Sequence, residues 1–463
     1  MTPQPNATSH SSRRLGTLAL VPSSRLIASI AAIVLPCAAI GGTVPAAFGV
    51  AAFFVGCLFV IILLDAALAP TRLAGIRVEL PELARLQKDQ EATLAVRIHN
   101  ATRVQRPLRI GLAFPREIQA AEDTRQTLLP AGAELSQLDW LCTPRKRGQY
   151  FLDRAWLEVS SPLGFWEARS SHPARAELRV YPNMFNERKN VAALFLKRGQ
   201  LGIHAQRQAG QGRDFEKLRE YLPGDSIDEI HWKATAKRGH PVTKVFQIER
   251  TQEVYVILDA SRLTARTVKL DDGTETNVLE RFVTAALILG LAAEQKGDQF
   301  GLLTFSDRVL SFVRAKNGQS HYDACRDRLY MLHPQIVTPD FEELATFIRL
   351  RLRKRALLII LTALDDPMLA DSFVKNANLI CRQHLIIVDM LRPPGAVPLF
   401  SDDKVTNLDD IYGHLGGHWQ WHKLRELEKV LQRRGVRFSL LDPSQLPAQL
   451  VAQHAEVKAR QLI

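Results

Sequence analysis

The chain has 463 residues, a net charge of +12 and a hydrophobic content of 46%. A chain of this length accommodates two or three domains, and its basic balance favours contact with lipid headgroups, an acidic partner or nucleic acid. The five cysteines include no C-x-x-C pair. This argues against a disulfide framework or a zinc site and fits a reducing compartment.

The N-terminal region begins polar and becomes strongly apolar. Residues 1–25 are predicted to form a disordered cytoplasmic tail, since the first part is rich in Ser, Thr and Pro. No charged residue occurs from Leu26 to Leu64, which is long enough for two transmembrane helices of about 20 residues each. These helices are expected to hold the chain in the lipid bilayer.

The arginines around the two spans predict their orientation. Arg25 precedes the first span and Arg72 follows the second, whereas the turn at residues 41–45 has no Lys or Arg. Both ends are therefore expected in the cytoplasm, in a multi-pass protein of the inner cell membrane with most of the chain cytoplasmic. The alternatives are a buried core hairpin and a cleaved signal of the twin-arginine type that uses Arg13 and Arg14.

The rest of the chain divides by its periodicity. Residues 75–183 alternate apolar and polar side chains in short runs, as at Leu94, Val96 and Ile98. Turn residues recur between the runs, which predicts a β-sandwich. Residues 184–250 form a connector. From 251 to 463, apolar strands alternate with amphipathic helices, which predicts a doubly wound α/β sheet.

The segment Gly210–Ser261 carries charges of both signs together with aromatic residues. The near balance of charge argues against a phosphate-binding patch and against a nucleic-acid partner. It favours a network of ion pairs that docks one domain onto another. Asp214 is placed to begin a helix with Phe215 and Leu218 on one side.

A second helix is expected around Trp232 and should end at Gly239. The helical spacing between Trp232 and Ala236 favours a core position for Trp232 over an exposed partner contact. The apolar run Val254–Leu258 then ends at Asp259. This is the pattern of a buried parallel strand that brings a polar group to its carboxyl end.

RDFEKLREYLPGD at Arg213–Asp225, IHWKATAKRG at Ile230–Gly239 and the strand that ends in DAS at Asp259–Ser261 resemble the DUF58 family. The resemblance implies a membrane-anchored protein with a von Willebrand factor A-like domain, associated with a MoxR-type AAA+ ATPase. The residues expected in domain docking or partner binding are Arg213, Asp214, Arg219, Tyr221, Gly224, Asp225, Trp232, Lys233 and Arg262.

The resemblance also implies a divalent-cation site of the D-x-S-x-S type. Asp259 and Ser261 match its first two ligands, but Leu263 stands where the second Ser is expected and cannot coordinate a metal. The positive charge of Arg262 beside the site opposes Mg²⁺. Hard cations need several oxygen ligands.

Two further loops offer the remaining ligands. Thr338 is a plausible second-loop ligand. The usual third-loop Asp aligns with Ala363, for which Asp365 is a possible substitute. The alternatives are a degenerate Mg²⁺ site and an Asp259 that hydrogen-bonds a neighbouring loop without metal. The ligand count favours the second, so no cofactor is expected.

His414, His418 and His422 are spaced by four residues. Gly416 and Gly417 are expected to interrupt any helix that would align them, so a polar loop is favoured over a zinc site.

The sequence therefore predicts a non-enzymatic adaptor or scaffold whose A-like domain binds the ATPase or its client. Arg262 would attract an acidic side chain of that partner directly. Two other classes stay open. One is a metal-dependent hydrolase that uses Asp259, Asp365 and nearby histidines. The other is a protein that binds anionic lipid or nucleic acid through its surplus charge.

Overall fold

The structure is a computed structural model that describes residues 18–185, 209–222, 227, 230–247, 252–271, 273–399, 401 and 407–460. The chain divides into two compact units, Met1–Asn183 and Met184–Ile463. Each unit is described by itself below.

The first unit holds two mainly antiparallel sheets. Its strands are β1 (Leu18–Pro22), β2 (Ile76–Glu79), β3 (Leu83–Gln87), β4 (Ala92–Asn100), β5 (Arg106–Leu112), β6 (Ile118–Ala120), β7 (Thr124–Leu129), β8 (Leu135–Pro144), β9 (Gly148–Ser160) and β10 (Trp166–Tyr181). One sheet has the order β1-β10-β9-β5-β7, with β3 paired parallel to β10, and the other has the order β2-β4-β8-β6. Leu94, Val96 and Ile98 are buried in β4 and alternate with less buried neighbours, so the predicted alternation and sandwich are confirmed.

Two apolar helices precede β2, namely α1 (Ser24–Thr43) and α2 (Phe48–Leu68). Their 20 and 21 residues extend for about 30 Å each, the thickness of a bilayer's hydrocarbon core. Both are long and apolar enough to cross a membrane, and few of their side chains are buried. The prediction of disorder for residues 1–25 is wrong from residue 18 onward, because β1 pairs antiparallel with β10 and Ser23 caps α1. Residues 1–17 lie outside the described residues.

The second unit contains an α/β sheet. Its strands are β11 (Ala209–Glu220), β12 (Val242–Gln247), β13 (Glu253–Asp259), β14 (Thr267–Lys269), β15 (Glu275–Asn277), β16 (Gln299–Phe305), β17 (Val309–Lys316), β18 (Leu357–Leu361), β19 (Leu385–Leu391) and β20 (Val436–Leu441). Its helices are α3 (Trp232–Arg238), α4 (Val278–Gln295), α5 (Gln319–Leu329), α6 (Phe341–Arg351), α7 (Pro367–Ile380), α8 (Leu408–Arg433) and α9 (Leu446–Ala459).

The main sheet has the order β17-β16-β13-β18-β19-β20 and is parallel except for the edge strand β17. Helices α4, α5 and α9 cover one face, and α6, α7 and α8 cover the other. The central strands are buried on both faces, which explains the continuous apolar runs of β13 and β18. The predicted doubly wound sheet is thus confirmed.

The segment around β11 corrects one prediction. Residues 214–220 form part of a strand that pairs antiparallel with β12, instead of a helix that begins at Asp214. The register places Phe215 opposite Phe246 and Leu218 opposite Lys244, with a bulge between Phe215 and Lys217. Positions 246 and 244 share a strand face. The bulge therefore puts positions 215 and 218 on one face as well and reproduces the three-residue spacing of a helix.

Helix α8 corrects a second prediction. It runs from Leu408 to Arg433 without a break at Gly416 or Gly417. The helix tolerates these glycines, although each costs about 1 kcal/mol relative to Ala. A side chain at Gly417 would collide with a neighbouring loop, since an added Cβ would lie 2.0 Å from the carbonyl oxygen of Gly395. Gly417 is therefore explained by packing and not by a chain break.

Candidate functional site

Strand β13 brings Asp259 to the carboxyl edge of the main sheet. Its parallel neighbours are β16 on one side and β18 on the other, so the loops that follow all three strands meet there. Asp259 is completely buried.

Both carboxylate oxygens of Asp259 accept hydrogen bonds. The backbone N–H of Ser261 donates to Oδ1 at 2.8 Å, and the hydroxyl of Thr362, just after β18, donates to Oδ2 at 2.6 Å. Burial raises the pKa of Asp259, and the hydrogen bonds from Thr362 and Ser261 oppose that rise. Asp259 therefore hydrogen-bonds a neighbouring loop, the one that contains Thr362, as one of the two sequence alternatives predicted.

Ser261 is buried and begins the short 3₁₀ helix Arg262–Ala265. Its hydroxyl oxygen accepts the N–H of Leu263 at 3.4 Å. Leu263 is itself buried among apolar side chains, so the position expected to carry the second Ser contributes to the core.

The loop of Thr338 lies directly beside the Asp259 loop. The N–H of Gln335 donates to the carbonyl oxygen of Ala260 at 2.7 Å, and the N–H of Arg262 donates to that of Val337 at 3.0 Å. Thr338 follows as an exposed residue. The structure thus brings the predicted first and second loops together.

Asp365, the proposed third-loop ligand, is held by an arginine that the sequence reasoning missed. The Arg266 guanidinium donates from Nη1 to Oδ2 at 2.6 Å and from Nη2 to Oδ1 at 2.9 Å. Burial acts to raise the pKa of Asp365, but the hydrogen bonds and charge of Arg266 outweigh it, so that pKa is lowered. The bonds to Asp365 in turn raise the pKa of Arg266.

These residues do not fit a divalent cation as they stand. Mg²⁺ requires near-octahedral coordination by oxygen atoms. The oxygens of Asp259 accept protein hydrogen bonds, and those of Asp365 are bound in parallel by Arg266. The Leu263 side chain supplies no oxygen, and its carbonyl oxygen accepts a hydrogen bond from Nε of Arg266 at 3.0 Å. The described residues also contain no group of three or more His, Cys, Asp or Glu side chains that could hold a metal ion.

The residues predicted for docking or partner binding fall into three groups. Gly224 and Asp225 lie outside the described residues, and for Arg213 and Asp214 only the backbone in β11 is described. Arg219 pairs with Thr243 in the β11–β12 register, and the N–H of Tyr221 donates to the carbonyl oxygen of Pro241 at 3.0 Å. Trp232 and Lys233 begin α3, and Arg262 is exposed beside the Asp259 loop.

Trp232 corrects the core prediction, because 66% of it is exposed. It is the first residue of α3, where the imidazole Nδ1 of His231 accepts the N–H of Ala234 at 3.0 Å and caps the helix. Gly239 ends the helix in the left-handed conformation with φ 72°, as predicted. With only seven residues, α3 is too short to bury all sides, and Trp232 lies on the open side.

The three spaced histidines lie on one helix. On α8, Nδ1 of His418 accepts the N–H of Leu399 at 3.0 Å, and Nε2 of His422 lies 3.3 Å from Glu426. The expectation of a loop is wrong. The preference against zinc stays a prediction.

A polar contact in the first unit was also missed. Asp65, near the end of α2, is buried. Its carboxylate accepts the hydroxyl of Ser161 at 2.5 Å and the N–H groups of Leu163 and Phe165 at 2.9 and 3.1 Å. The indole of Trp166 donates to the carbonyl oxygen of Ile62 at 3.1 Å. This set of bonds joins α2 to the β9–β10 loop, here called the Asp65 clamp.

Two signals could have found these residues. Thr362 and Asp259 follow adjacent parallel strands, and the carboxyl ends of such strands meet. Asp65 is an acidic residue at the end of an apolar span, where an unpaired carboxylate would be costly. Arg266 had no comparable signal, because its distance in sequence from Asp365 is 99 residues.

Residues 217–397 match the DUF58 family, which is described as a protein of unknown function. Uncharacterized proteins of Mycobacterium bovis and Mycobacterium tuberculosis are 22% identical over 201 residues, which cover 43% of this chain and 61% of each relative. The chain therefore spans less than two thirds of these relatives' length.

Among solved structures, the VWA domain of SpRpn10 is similar with a TM-score of 0.28 and 11% identity, over 44% of this chain and 95% of that domain. An uncharacterized membrane spanning protein from Vibrio fischeri is similar with a TM-score of 0.17 and 16% identity, over 45% of this chain and 98% of that one.

Proposed function

We propose, on the premise that residues 217–397 of this chain belong to the DUF58 family, that the protein is a non-enzymatic, membrane-anchored adaptor. Its α/β sheet would bind a protein partner at the carboxyl edge. The observation that carries the proposal is the pairing of both carboxylates there with internal donors. This leaves exposed Arg262 as the cation at the rim, because the Arg266 guanidinium is bound to Asp365.

The hydrogen bonds of Asp259 and Asp365 also argue against catalysis at this edge of the sheet. A general base or metal ligand needs a free oxygen within reach of the reacting group. Asp259 is completely buried with both oxygens accepting hydrogen bonds. Asp365 is tied to Arg266. A cationic rim without a reactive group suits recognition of an acidic side chain on another protein.

The membrane anchor is supported by α1 and α2, whose length, apolar composition and exposed side chains fit two passes through a bilayer. Arg25 and Arg72 flank the hairpin. By the positive-inside rule both units would then lie in the cytoplasm, at the inner cell membrane. The Asp65 clamp would hold the β-sandwich at the base of this hairpin.

The partner we propose is a MoxR-type AAA+ ATPase or its client, from the resemblance of the DUF58 segment. An acidic side chain of that partner would pair with Arg262. Reversal of a charge at an interface rim typically lowers affinity and slows association, so we expect Arg262→Glu to weaken binding about tenfold.

The experiment is co-purification of the full chain in detergent with the candidate ATPase. Arg382→Glu is the matched control. Arg382 is exposed in the turn between α7 and β19, at the opposite edge of the sheet. Loss of ATPase recovery with Arg262→Glu alone supports the proposal. Equal recovery by both variants and the unmodified chain contradicts it.

A further inference from the structure

Helix α8 carries an apolar face that is not covered by the described part of the chain. Its members, here called the α8 stripe, are exposed by 49–67%. They are Leu408, Ile411, Tyr412, Leu415 and Trp419. Their spacing of three and four residues places them on one side of the helix, within its first twelve residues. Five large apolar side chains in one exposed patch mark an interaction surface.

Most of the stripe lies on the side of α8 opposite the body of the unit. Trp419, at its carboxyl end, lines a pocket with Pro367 and Ala370, and the Lys423 ammonium lies 3.6 Å from its ring centroid. At 100° per residue, buried Leu424 lies about 160° around the helix from the stripe. Gly417, on that inner side, packs against the backbone of Gly395. The contact of His418 with Leu399 also fixes this part of α8 to the loop after β19. The stripe is thus presented by an anchored helix.

The charges on α8 argue against a lipid surface as the occupant. Interfacial helices carry Lys and Arg beside their apolar face. From Leu408 to Gln420 this helix has no Lys or Arg, and its charged residues there are Asp409 and Asp410. Basic residues begin at Lys423. The rest of α8 also carries Glu426 and Glu428, so the helix has an acidic amino end and a mixed but net basic continuation.

That asymmetry is complementary to itself when two helices run in opposite directions. In an antiparallel pair centred near Gly416, Asp409 of one copy lies opposite Lys423 of the other. Both residues fall on the same flank of the stripe, as such pairs require.

The surface area that two copies could bury is that of a weakly associating dimer. Five partly exposed large side chains on each copy would bury roughly 1,000 Å² in total, which is near the lower limit for a specific interface. We propose that the α8 stripe is the contact through which two copies of this chain associate, with their α8 helices antiparallel.

The first test uses the full chain in detergent under mild oxidation. Leu415 lies next to the expected two-fold axis, whereas Leu408 lies far from it. Leu415→Cys should give a disulfide-linked dimer, and Leu408→Cys should stay at the background of the unmodified chain, whose Cys37, Cys57 and Cys381 are partly exposed. More cross-linking by Leu408→Cys, or none above background by either variant, overturns the proposal.

The second test uses sedimentation equilibrium and a charge exchange. Asp409→Lys and Lys423→Asp should each weaken self-association about tenfold, and the double variant should restore it. A double variant no tighter than the single ones refutes the antiparallel register. A chain that stays monomeric throughout the micromolar range refutes the proposal outright and leaves the stripe to a different protein or to lipid.

Discussion

We expect Asp65→Ala to loosen the junction between α2 and the β-sandwich. The Asp65 carboxylate accepts three hydrogen bonds, from the hydroxyl of Ser161 and the backbone N–H groups of Leu163 and Phe165. The substitution leaves all three donors without that acceptor. Both N–H groups belong to the β9–β10 loop, so the effect should appear first in that loop.

The magnitude follows from the number and kind of bonds. A hydrogen bond to a charged group contributes about 1.5–3 kcal/mol. Breaking one side of a buried charged network costs about 3–5 kcal/mol, less than the sum of the bonds because the donors regain some water. Asp65→Asn should cost about 1–3 kcal/mol, since the amide oxygen can still accept from some of these donors.

The assay is amide hydrogen exchange of the full chain in detergent, followed at Leu163 and Phe165. A loss of 3–5 kcal/mol in the local opening free energy corresponds to exchange faster by about a hundred- to a few thousand-fold. Asp153→Ala is the control, because Asp153 is exposed in β9 of the same unit. Equal exchange in Asp65→Ala and the control would refute the assigned role of the clamp.

Two further predictions concern the second unit. Burial raises the pKa of Asp389, beneath α9, to about 7, while its Oδ1 accepts the side-chain amide of Gln453 at 2.9 Å. The pKa of Asp389 is higher in the folded than in the unfolded state. Its protonation therefore stabilises the fold fully below about pH 4, and this stabilisation is lost as the pH rises to about 7. The loss is on the order of 4 kcal/mol and should be absent from the unfolding free energy of Asp389→Asn. Gly417→Ala should lower the free energy of unfolding by about 1–3 kcal/mol through its collision with Gly395, and should therefore lower the melting temperature. Gly416→Ala, where an added Cβ meets nothing within 4 Å, should stabilise by up to about 1 kcal/mol. Equal melting temperatures for the two alanine variants would contradict the packing account.

The sequence was sufficient for the sheet because its strands are buried on both faces. Leu357–Leu361 is a continuous apolar run, and the observed strand has those same limits. The helices were predictable where one face is apolar, as in Phe341–Arg351. Local periodicity failed at β11, because a bulge imitates helical spacing and because the partner strand is distant in sequence. It failed again at α8, where the glycine is required by a tertiary contact with Gly395.

The candidate site shows the same limit in its electrostatics. Because Asp259 ends an apolar run, the sequence predicted its place at the carboxyl edge of the sheet. Its hydrogen-bond donor Thr362, however, lies 103 residues further along the chain. The guanidinium of Arg266 donates hydrogen bonds to both carboxylate oxygens of Asp365. The sequence had suggested Asp365 as a possible cation ligand. A buried or half-buried carboxylate needs a compensating partner of some kind. The sequence predicts that need, whereas only the fold reveals that a hydroxyl and a guanidinium meet it.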